Sequence, residues 1–233
     1  GAEAVFKLIQ RDAHLCFTAI HYDMLISAYA KRGLVWGAIN VIQRMRQEEN
    51  MAPTVVTYKS LLTCYANAGK LERNSDSTPE AVLSEMMECD GVAPHVVLRT
   101  LLNAYAERGN GPGADRVFRI MKDAPGPAPD VVTYNILIKA HVRNRDVDSA
   151  YGVLQIMRDA RAAPDVRTYT ALVDACARSG NVRGAYELFQ MMQDEGVAPN
   201  VVTYNVLIAA HARKRDERGR AWDVFQMMTD AGV

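Results

Sequence analysis

Residues 131–165 read VVTYNILIKAHVRNRDVDSAYGVLQIMRDARAAPD, and residues 166–200 continue without a gap as VRTYTALVDACARSGNVRGAYELFQMMQDEGVAPN. A third copy, VVTYNVLIAAHARKRDERGRAWDVFQMMTDAGV, fills residues 201–233. A fixed period of about 35 residues is typical of a solenoid, in which each copy forms one supersecondary unit. The period therefore decides the fold class before any local motif is considered.

Each repeat is predicted to be a hairpin of two short helices. Apolar residues recur three and four positions apart in two stripes, which are Tyr169, Leu172, Val173 and Cys176, and then Ala185, Leu188, Phe189 and Met192. Gly180 separates the stripes and Pro199 follows the second, and both residue types end helices. So small a hairpin leaves apolar surface on two sides and must stack on its copies. The spacing does not determine the hand of the resulting superhelix.

The same pattern extends over the rest of the chain and predicts one continuous repeat domain. The repeats comprise residues 19–54, 55–94, 95–130, 131–165, 166–200 and 201–233, and residues 1–18 look like the second helix of a truncated repeat. The last repeat also ends early, so we expect the chain to be part of a longer array. Two repeats are irregular: residues 73–79 interrupt one hairpin, and the stretches 109–113 and 125–127 are predicted to be surface loops because they are rich in Gly and Pro.

Composition excludes several classes of protein. Lys plus Arg equals Asp plus Glu at 27 each, so any basic surface must be local. The cysteines (Cys16, Cys64, Cys89 and Cys176) form no C-x-x-C pair and are predicted to be buried thiols. No segment approaches the roughly 20 apolar residues of a membrane span, so no membrane partner is expected. No phosphate-binding glycine loop, metal-ligand pattern or catalytic cluster is present, so we expect no enzyme activity and no cofactor.

The motif VVTYN-x-LI-x-A at Val131 and Val201, with the later G-V-A-P, closely resembles the pentatricopeptide repeat family of the P type. The tetratricopeptide repeat is a poorer match, since Trp36 and Trp222 do not occupy that family's offsets. The resemblance implies an all-α solenoid, an α-α right-handed superhelix, that binds single-stranded RNA in a mitochondrion or chloroplast. It also implies that each repeat contacts one base.

Positions are numbered here from the first residue of each repeat. Positions two, five, nine and thirteen span about 80° of an ideal helix and therefore share a face outside the apolar stripe. In the family, position five and the closing residue of the repeat specify the base. The resemblance then implies that Asn135 with Asp165 selects uracil, that Thr170 with Asn200 selects adenine and that Asn205 favours a pyrimidine. The predicted target of residues 131–233 is U-A-pyrimidine.

The other predicted contacts follow the same numbering. Asp23 with Thr54 is a weak base-reading pair, while Lys59 and Arg99 place long cations at position five and suggest spacers or partner contacts. Position two packs against the base and is occupied by Ile20, Val132, Arg167 and Val202. Position thirteen is expected to contact phosphate through Lys31, Arg143, Arg178 and Arg213, although cations near a helix C-terminus also complement its dipole.

The tyrosines at position four and the histidines His141 and His211 are expected in the packed core. The leading hypothesis is a sequence-selective binder of single-stranded RNA that acts on transcript stability, processing or translation. The alternative is a structural or adaptor subunit of an organellar ribosome or another large assembly, without a base code. A third possibility is a superhelix that binds only protein.

Overall fold

The computed structural model describes residues 18–47, 51–68, 94–124, 126–213 and 218–233. These residues form α-helices and contain no strand. The helices are α1 (Ala19–Arg32), α2 (Val35–Gln47), α3 (Val55–Ala68), α4 (Pro94–Glu107), α5 (Gly111–Asp123), α6 (Val131–Arg143), α7 (Val147–Asp159), α8 (Val166–Arg178), α9 (Val182–Asp194), α10 (Val201–Arg213) and α11 (Arg218–Asp230). The prediction of an all-α solenoid of helical hairpins is confirmed for this part of the chain.

Local sequence explains where the helices of a repeat begin and end. Asp165 caps α8 by accepting a hydrogen bond from the Thr168 backbone N–H at 2.8 Å, and Asn181 caps α9 in the same way through Gly184 at 2.9 Å. Gly180 adopts a left-handed conformation (φ 81°) between the two helices, which a residue without Cβ does at little cost. This hairpin is therefore defined by two capped helix starts and a short turn.

The chain divides into two compact units. The first unit comprises residues 1–104 and 123–127, and the second comprises residues 105–122 and 128–233. In the first unit, α1 packs against α2 and α3, and α2 also contacts α3. In the second unit, the first helices of successive repeats, α6, α8 and α10, lie side by side. The second helices α7 and α9 each contact the first helix of the following repeat.

The core consists largely of the tyrosines and aliphatic residues predicted to lie between repeats. Tyr22, Tyr58, Tyr134, Tyr169 and Tyr204 are all buried, as are His141 and His211. Phe189 of α9 packs against Tyr204 of the next repeat with ring centroids 5.4 Å apart. The prediction that these tyrosines and histidines are packed is confirmed. Cys64 and Cys176 are buried free thiols, and burial raises the pKa of Cys64 to about 11.

A polar cluster links the second helix of one repeat to the next repeat. Arg158 donates a hydrogen bond to the Tyr169 hydroxyl at 2.9 Å and pairs with Glu195, and the Tyr169 hydroxyl donates to Glu195 at 2.5 Å. Burial first, and then the hydrogen bond to Glu195, raises the pKa of Tyr169 to about 12. Because Arg46 makes the corresponding bond to Tyr58 at 3.1 Å, this contact recurs between repeats.

The prediction of a surface loop over residues 109–113 was wrong for residues 111–113, which are helical. Gly111 and Gly113 lie in the first turn of α5 and are buried, and Pro112 is tolerated there because the first turn does not use its missing N–H. A Cβ on Gly113 would meet the Tyr105 ring at 2.8 Å. These glycines therefore permit close packing of α5 rather than a surface excursion.

Other predictions fall on residues outside the described part of the chain. They concern residues 1–17, residues 73–79, Cys16 and Cys89. Among the described residues, no helix has the length and apolar character that crossing a bilayer requires. Within the same residues, no group of three His, Cys, Asp or Glu side chains is arranged to hold a metal ion.

Candidate nucleic-acid interface

The structure brings position five of a repeat next to the closing residue of the same repeat. Asn135 lies on α6, and Asp165 caps α8, which packs beside α6. The Asn135 carboxamide nitrogen donates a hydrogen bond to an Asp165 carboxylate oxygen at 3.1 Å. Two side chains that are 30 positions apart in the sequence are thus held as one pair.

A buried threonine of the following repeat joins this pair. Thr168, at position three, is fully buried, and its hydroxyl lies 2.6 Å from the Asn135 carboxamide oxygen and 2.9 Å from an Asp165 oxygen. The hydroxyl has one hydrogen, which it donates to these two acceptors. Because Thr168 engages the carboxamide oxygen and Asp165 engages the nitrogen, the orientation of the Asn135 amide is fixed.

The same contacts determine the charge state of Asp165. Burial alone would raise the pKa of this carboxyl group, but hydrogen bonds from the Thr168 backbone, the Asn135 amide and the Thr168 hydroxyl outweigh it. The pKa of Asp165 is therefore lowered below its ordinary value, and the group is a carboxylate at neutral pH. The pair thus presents an anionic acceptor beside an amide.

The repeat at residues 166–200 has the same arrangement with different chemistry. The Thr170 hydroxyl lies 2.8 Å from the hydroxyl of Thr203, which donates to the Asn200 carboxamide oxygen at 3.0 Å. Since Thr203 uses its one hydrogen on Asn200, Thr170 is the donor between the two hydroxyls. The Thr203 backbone N–H also donates to the Asn200 oxygen at 3.0 Å, so the Asn200 nitrogen is the amide group left for a ligand.

In the first compact unit, Asp23 makes the equivalent contacts. The hydroxyls of Thr54 and Thr57 donate to its two carboxylate oxygens at 3.1 and 2.5 Å. Asp23 therefore meets the closing residue of its repeat and position three of the next, as Asn135 does. Both of its carboxylate oxygens therefore have hydrogen-bond partners within the protein.

The position-two side chains are exposed although most are aliphatic. Val132 and Val202 are 54% and 56% exposed, and Ile20 is 68% exposed. Arg167 is also exposed. Each lies three residues before position five, on the same helix face, so apolar surface adjoins the polar pair. Asn205 of α10 is exposed as well.

The position-thirteen cations are more constrained than expected. Arg143 contacts both the backbone carbonyl of Glu107 and its carboxylate (2.7 Å), and Lys139 pairs with the same carboxylate. The hydrogen bond from Lys139, and then the charges of Lys139 and Arg143, lower the pKa of Glu107. Arg178 pairs with Asp174 at 2.8 Å. These carboxylates partly neutralise the cations.

Position thirteen also has a structural role. Asn67 donates to the Ala30 carbonyl oxygen at 2.7 Å, near the end of α1, as Arg143 donates to the Glu107 carbonyl at the end of α4. Carbonyls at a helix C-terminus lack partners within the helix, and a side chain from the next repeat supplies a hydrogen bond to one of them. Lys31 is exposed. The Arg213 side chain is outside the described residues.

Threonine at position three is the site feature that the sequence reasoning missed. It occurs in four repeats, as Thr57, Thr133, Thr168 and Thr203, and all four side chains are buried. The signal was present in the sequence, since a polar residue recurs beside the buried tyrosine in the T-Y of VVTY. Its function could not be inferred because its partners belong to the preceding repeat.

Family models match the chain along its length. The model described as the PPR repeat family matches residues 129–178 and 164–213. A pentatricopeptide repeat-containing protein model matches residues 2–110, a pentatricopeptide repeat domain model matches residues 81–144, and a PPR repeat model matches residues 202–233. Together these matches extend from residue 2 to residue 233.

Individual proteins give a consistent result. A chloroplastic pentatricopeptide repeat-containing protein of Arabidopsis thaliana is 30% identical over 142 residues, which are 60% of this chain and 17% of the relative. A mitochondrial one from the same plant is 24% identical over 158 residues, 67% of this chain and 25% of the relative. The chain thus spans a quarter or less of either relative.

A solved structure supports the fold. The structure of the pentatricopeptide repeat protein PPR10 from maize aligns with all of this chain and 37% of its own, with a TM-score of 0.55 and 22% identity. That protein has also been solved in complex with an 18-nucleotide psaJ RNA element. At this identity the likeness establishes the arrangement of helices.

Proposed function

The chain belongs to the pentatricopeptide repeat family, and we propose that its repeats bind single-stranded RNA and select bases at residues 131–233. The binding would be non-enzymatic. Its predicted target is U-A-pyrimidine, with uracil at Asn135 and Asp165, adenine at Thr170 and Asn200, and a pyrimidine at Asn205.

The observation that carries the proposal is the bridge that Thr168 makes between Asn135 and Asp165. The bridge fixes an amide and a carboxylate before any ligand arrives, so less side-chain entropy is lost when a base binds. In the next repeat, Thr170 and Asn200 offer a hydroxyl and an amide at the equivalent positions, and Thr203 makes the corresponding contacts to both. Different donors and acceptors at equivalent places are what discrimination between bases requires.

The neighbouring side chains support contacts to the rest of the nucleotide. Exposed Val132 and Val202 offer flat apolar surface for a base, and the planar guanidinium of Arg167 can stack on one. Lys31, Arg143, Arg178 and Arg213 are proposed to contact the phosphates. Four contacts to a single strand predict a slope of about −3 for the logarithm of affinity against the logarithm of salt concentration.

Equilibrium binding to short oligonucleotides tests the proposal. Fluorescence anisotropy would compare an oligonucleotide that contains U-A-pyrimidine with one of the same composition in scrambled order, each at two or more salt concentrations. We expect tighter binding to the first and a similar salt slope for both, since phosphate contacts carry no sequence information. Equal affinities would remove the claim of base selection.

We further infer an organellar location, in a mitochondrion or chloroplast, and a role in transcript stability, processing or translation. The support is that the two relatives described above are named chloroplastic and mitochondrial. Imaging of the full-length protein fused to a fluorescent protein would test the location. A signal confined to the cytosol would contradict it.

A structural or adaptor role in an organellar ribosome or another large assembly is the second candidate. Glu107 and Asp174 neutralise much of the charge expected to bind phosphate, and the sequence has no net charge. Both features suit a scaffold that contacts protein or RNA without reading bases. A co-purifying assembly whose mass is unchanged after ribonuclease treatment would favour this role.

A further inference from the structure

A cleft with three arginines separates the repeat at residues 131–165 from the repeat at residues 166–200. It has a volume of about 530 Å³. Its lining residues are Val142, Arg143, Arg145, Val147, Ala175, Arg178 and Ser179, and none of them is acidic. Arginines from two consecutive repeats therefore line the same opening, together with the apolar residues Val142, Val147 and Ala175.

Arg145 occupies an unusual place for an arginine. Its backbone is left-handed (φ 60°), and the same position of other repeats is occupied by Gly33, Gly109 and Gly180 with φ between 66° and 81°. A side chain in this conformation is strained relative to glycine. The sequence of this repeat thus places a long cation where the repeats that begin at residues 19, 95 and 166 have no side chain.

Arg145 also differs from the other two arginines in its charge environment. Arg143 is paired with Glu107 and Arg178 with Asp174, and these pairs hold the two guanidinium groups at the cleft. In the described part of the chain, Arg145 forms no ion pair, and it is exposed. Of the three arginines that line the cleft, Arg145 is therefore the one whose charge is not offset by an ion pair with a carboxylate.

We propose that Arg145, together with Arg143 and Arg178, forms a phosphate-binding site between these two repeats. The ligand group is a phosphodiester of single-stranded RNA, specifically the linkage between the nucleotides bound by Asn135 and by Thr170. This inference rests on the proposed RNA binding. It adds position fifteen of this repeat to the contacts expected from position thirteen.

The chain offers a closely matched control in Arg161. Arg161 is also left-handed (φ 56°) and exposed, and the next repeat has Gly196 (φ 74°) at the same position. It does not line the cleft. The variants Arg145→Gly and Arg161→Gly each remove one positive charge and relieve the same backbone strain, so both are expected to fold, and only the first removes a cleft residue.

The test measures binding of the wild type and both variants to the U-A-pyrimidine oligonucleotide. A second oligonucleotide carries an uncharged methylphosphonate linkage between the U and the A, and a third carries it two nucleotides outside the target. We expect Arg145→Gly to weaken binding of the native oligonucleotide by about tenfold and to reduce the salt slope by about 0.7. Arg161→Gly should have little effect.

The oligonucleotide with the uncharged linkage tests whether Arg145 contacts the phosphate between U and A in particular. The methylphosphonate between U and A should weaken binding by the wild type and by Arg161→Gly, but should add little to the defect of Arg145→Gly. Equal losses for the two arginine variants, or an equal effect of the linkage on all three proteins, would overturn the proposed site. The wild type could bind tightly without base preference and still lose affinity when the U-A linkage is uncharged, while Arg145→Gly does not. That result would contradict base selection and would support the phosphate site.

Inorganic pyrophosphate distinguishes an RNA phosphate from a free anion. Calorimetric titration of pyrophosphate into wild type and Arg145→Gly should show no binding at concentrations well above those of the RNA assay. Tight binding to the wild type alone, with unchanged RNA affinity of the variant, would show a site for free phosphate compounds and would overturn the assignment to RNA.

Discussion

The hydroxyl of Thr168 lies 2.6 Å from the carboxamide oxygen of Asn135, a residue 33 positions earlier in the sequence. This contact crosses from one repeat to the preceding one, so stacking of the repeats and orientation of the base-reading amide depend on each other. A single isolated repeat would lack the threonine hydroxyl that orients its position-five side chain, because that threonine belongs to the next repeat. The base-reading pair is therefore a property of two adjacent repeats.

Replacement of Thr168 by Val should weaken base discrimination at the Asn135 site. Valine keeps the shape but removes the hydroxyl, so the Asn135 oxygen loses a buried donor, with an expected cost of about 1 kcal/mol in unfolding free energy. Selectivity for uracil over the other bases should fall, because the amide can then rotate. Competition binding with oligonucleotides that vary only at that nucleotide measures this effect.

The variant Thr168→Ser provides the control, since serine restores the hydroxyl. It should recover the selectivity that Val loses, even though it lacks the methyl group. If Ser and Val behave alike, the hydroxyl bridge does not contribute to base selection.

Replacement of Glu107 by Gln should strengthen RNA binding. The change removes the negative charge that pairs with Lys139 and Arg143, and leaves both cations available to phosphate. We expect an affinity gain of about threefold and a steeper salt dependence. The measurement is anisotropy at several salt concentrations.

Glu187→Gln is the matched control for this change. Glu187 pairs with Arg183 on the second helix of its repeat. A gain of the same size in both variants would indicate a general effect of net charge and would remove the specific role of Glu107.

Acid should destabilise the wild type partly through Asp165. The folded pKa of this carboxyl group is lowered, so its contribution to stability is present above the ordinary value of about 3.9 and is lost as pH falls through the folded pKa. Asp165→Asn keeps an N-capping side chain but cannot titrate. We therefore expect the difference in urea midpoint between wild type and variant to shrink as the pH is lowered from 7 to 3.

Circular dichroism at 222 nm follows this unfolding. Asp194→Asn, at the exposed end of α9, controls for the loss of one carboxylate. An unchanged difference between wild type and Asp165→Asn across the range would contradict the assignment of a lowered pKa.

At alkaline pH, the cluster of Arg158, Tyr169 and Glu195 should weaken. The pKa of Tyr169 is raised to about 12, so its contribution is fully present below the ordinary value of about 10 and is lost as pH rises through 12. Tyr169→Phe should lower the unfolding free energy by about 1–2 kcal/mol at pH 8. Above pH 10, the difference in unfolding free energy between wild type and Tyr169→Phe should become smaller.

Tyr151→Phe serves as the control because Tyr151 is partly exposed. Absorbance at 295 nm reports tyrosine ionisation directly, and Tyr169→Phe should remove a phenol whose pKa is about 12. A titration curve in which that variant loses an early phenol would contradict the account.

Much of the fold could be predicted from local patterns. The two stripes around Gly180 predict helices because apolar spacing and helix breakers act within a few residues. The burial of Tyr169 follows from the same stripe. The loop predicted over residues 109–113 failed because Gly and Pro were taken only as helix breakers, whereas Gly113 lets α5 approach Tyr105.

The site was less predictable because its contacts depend on how repeats align. The pairing of Asn135 with Asp165 came from family resemblance, and the structure supplies its geometry. The bridge of Thr168 and the pairing of Arg143 with Glu107 both join residues more than 30 positions apart. Spacing within one helix cannot reveal such partners.

Exchange of one base-reading pair for another tests the central claim most directly. The double substitution Thr170→Asn and Asn200→Asp gives the repeat at residues 166–200 the pair that the preceding repeat carries, and Thr203 is already in place to bridge it. We measure dissociation constants for oligonucleotides that contain U-A-pyrimidine or U-U-pyrimidine. The wild type should prefer adenine at the second nucleotide, and the double variant should prefer uracil, each by about tenfold. A variant that folds and binds RNA with the preference of the wild type would contradict the account.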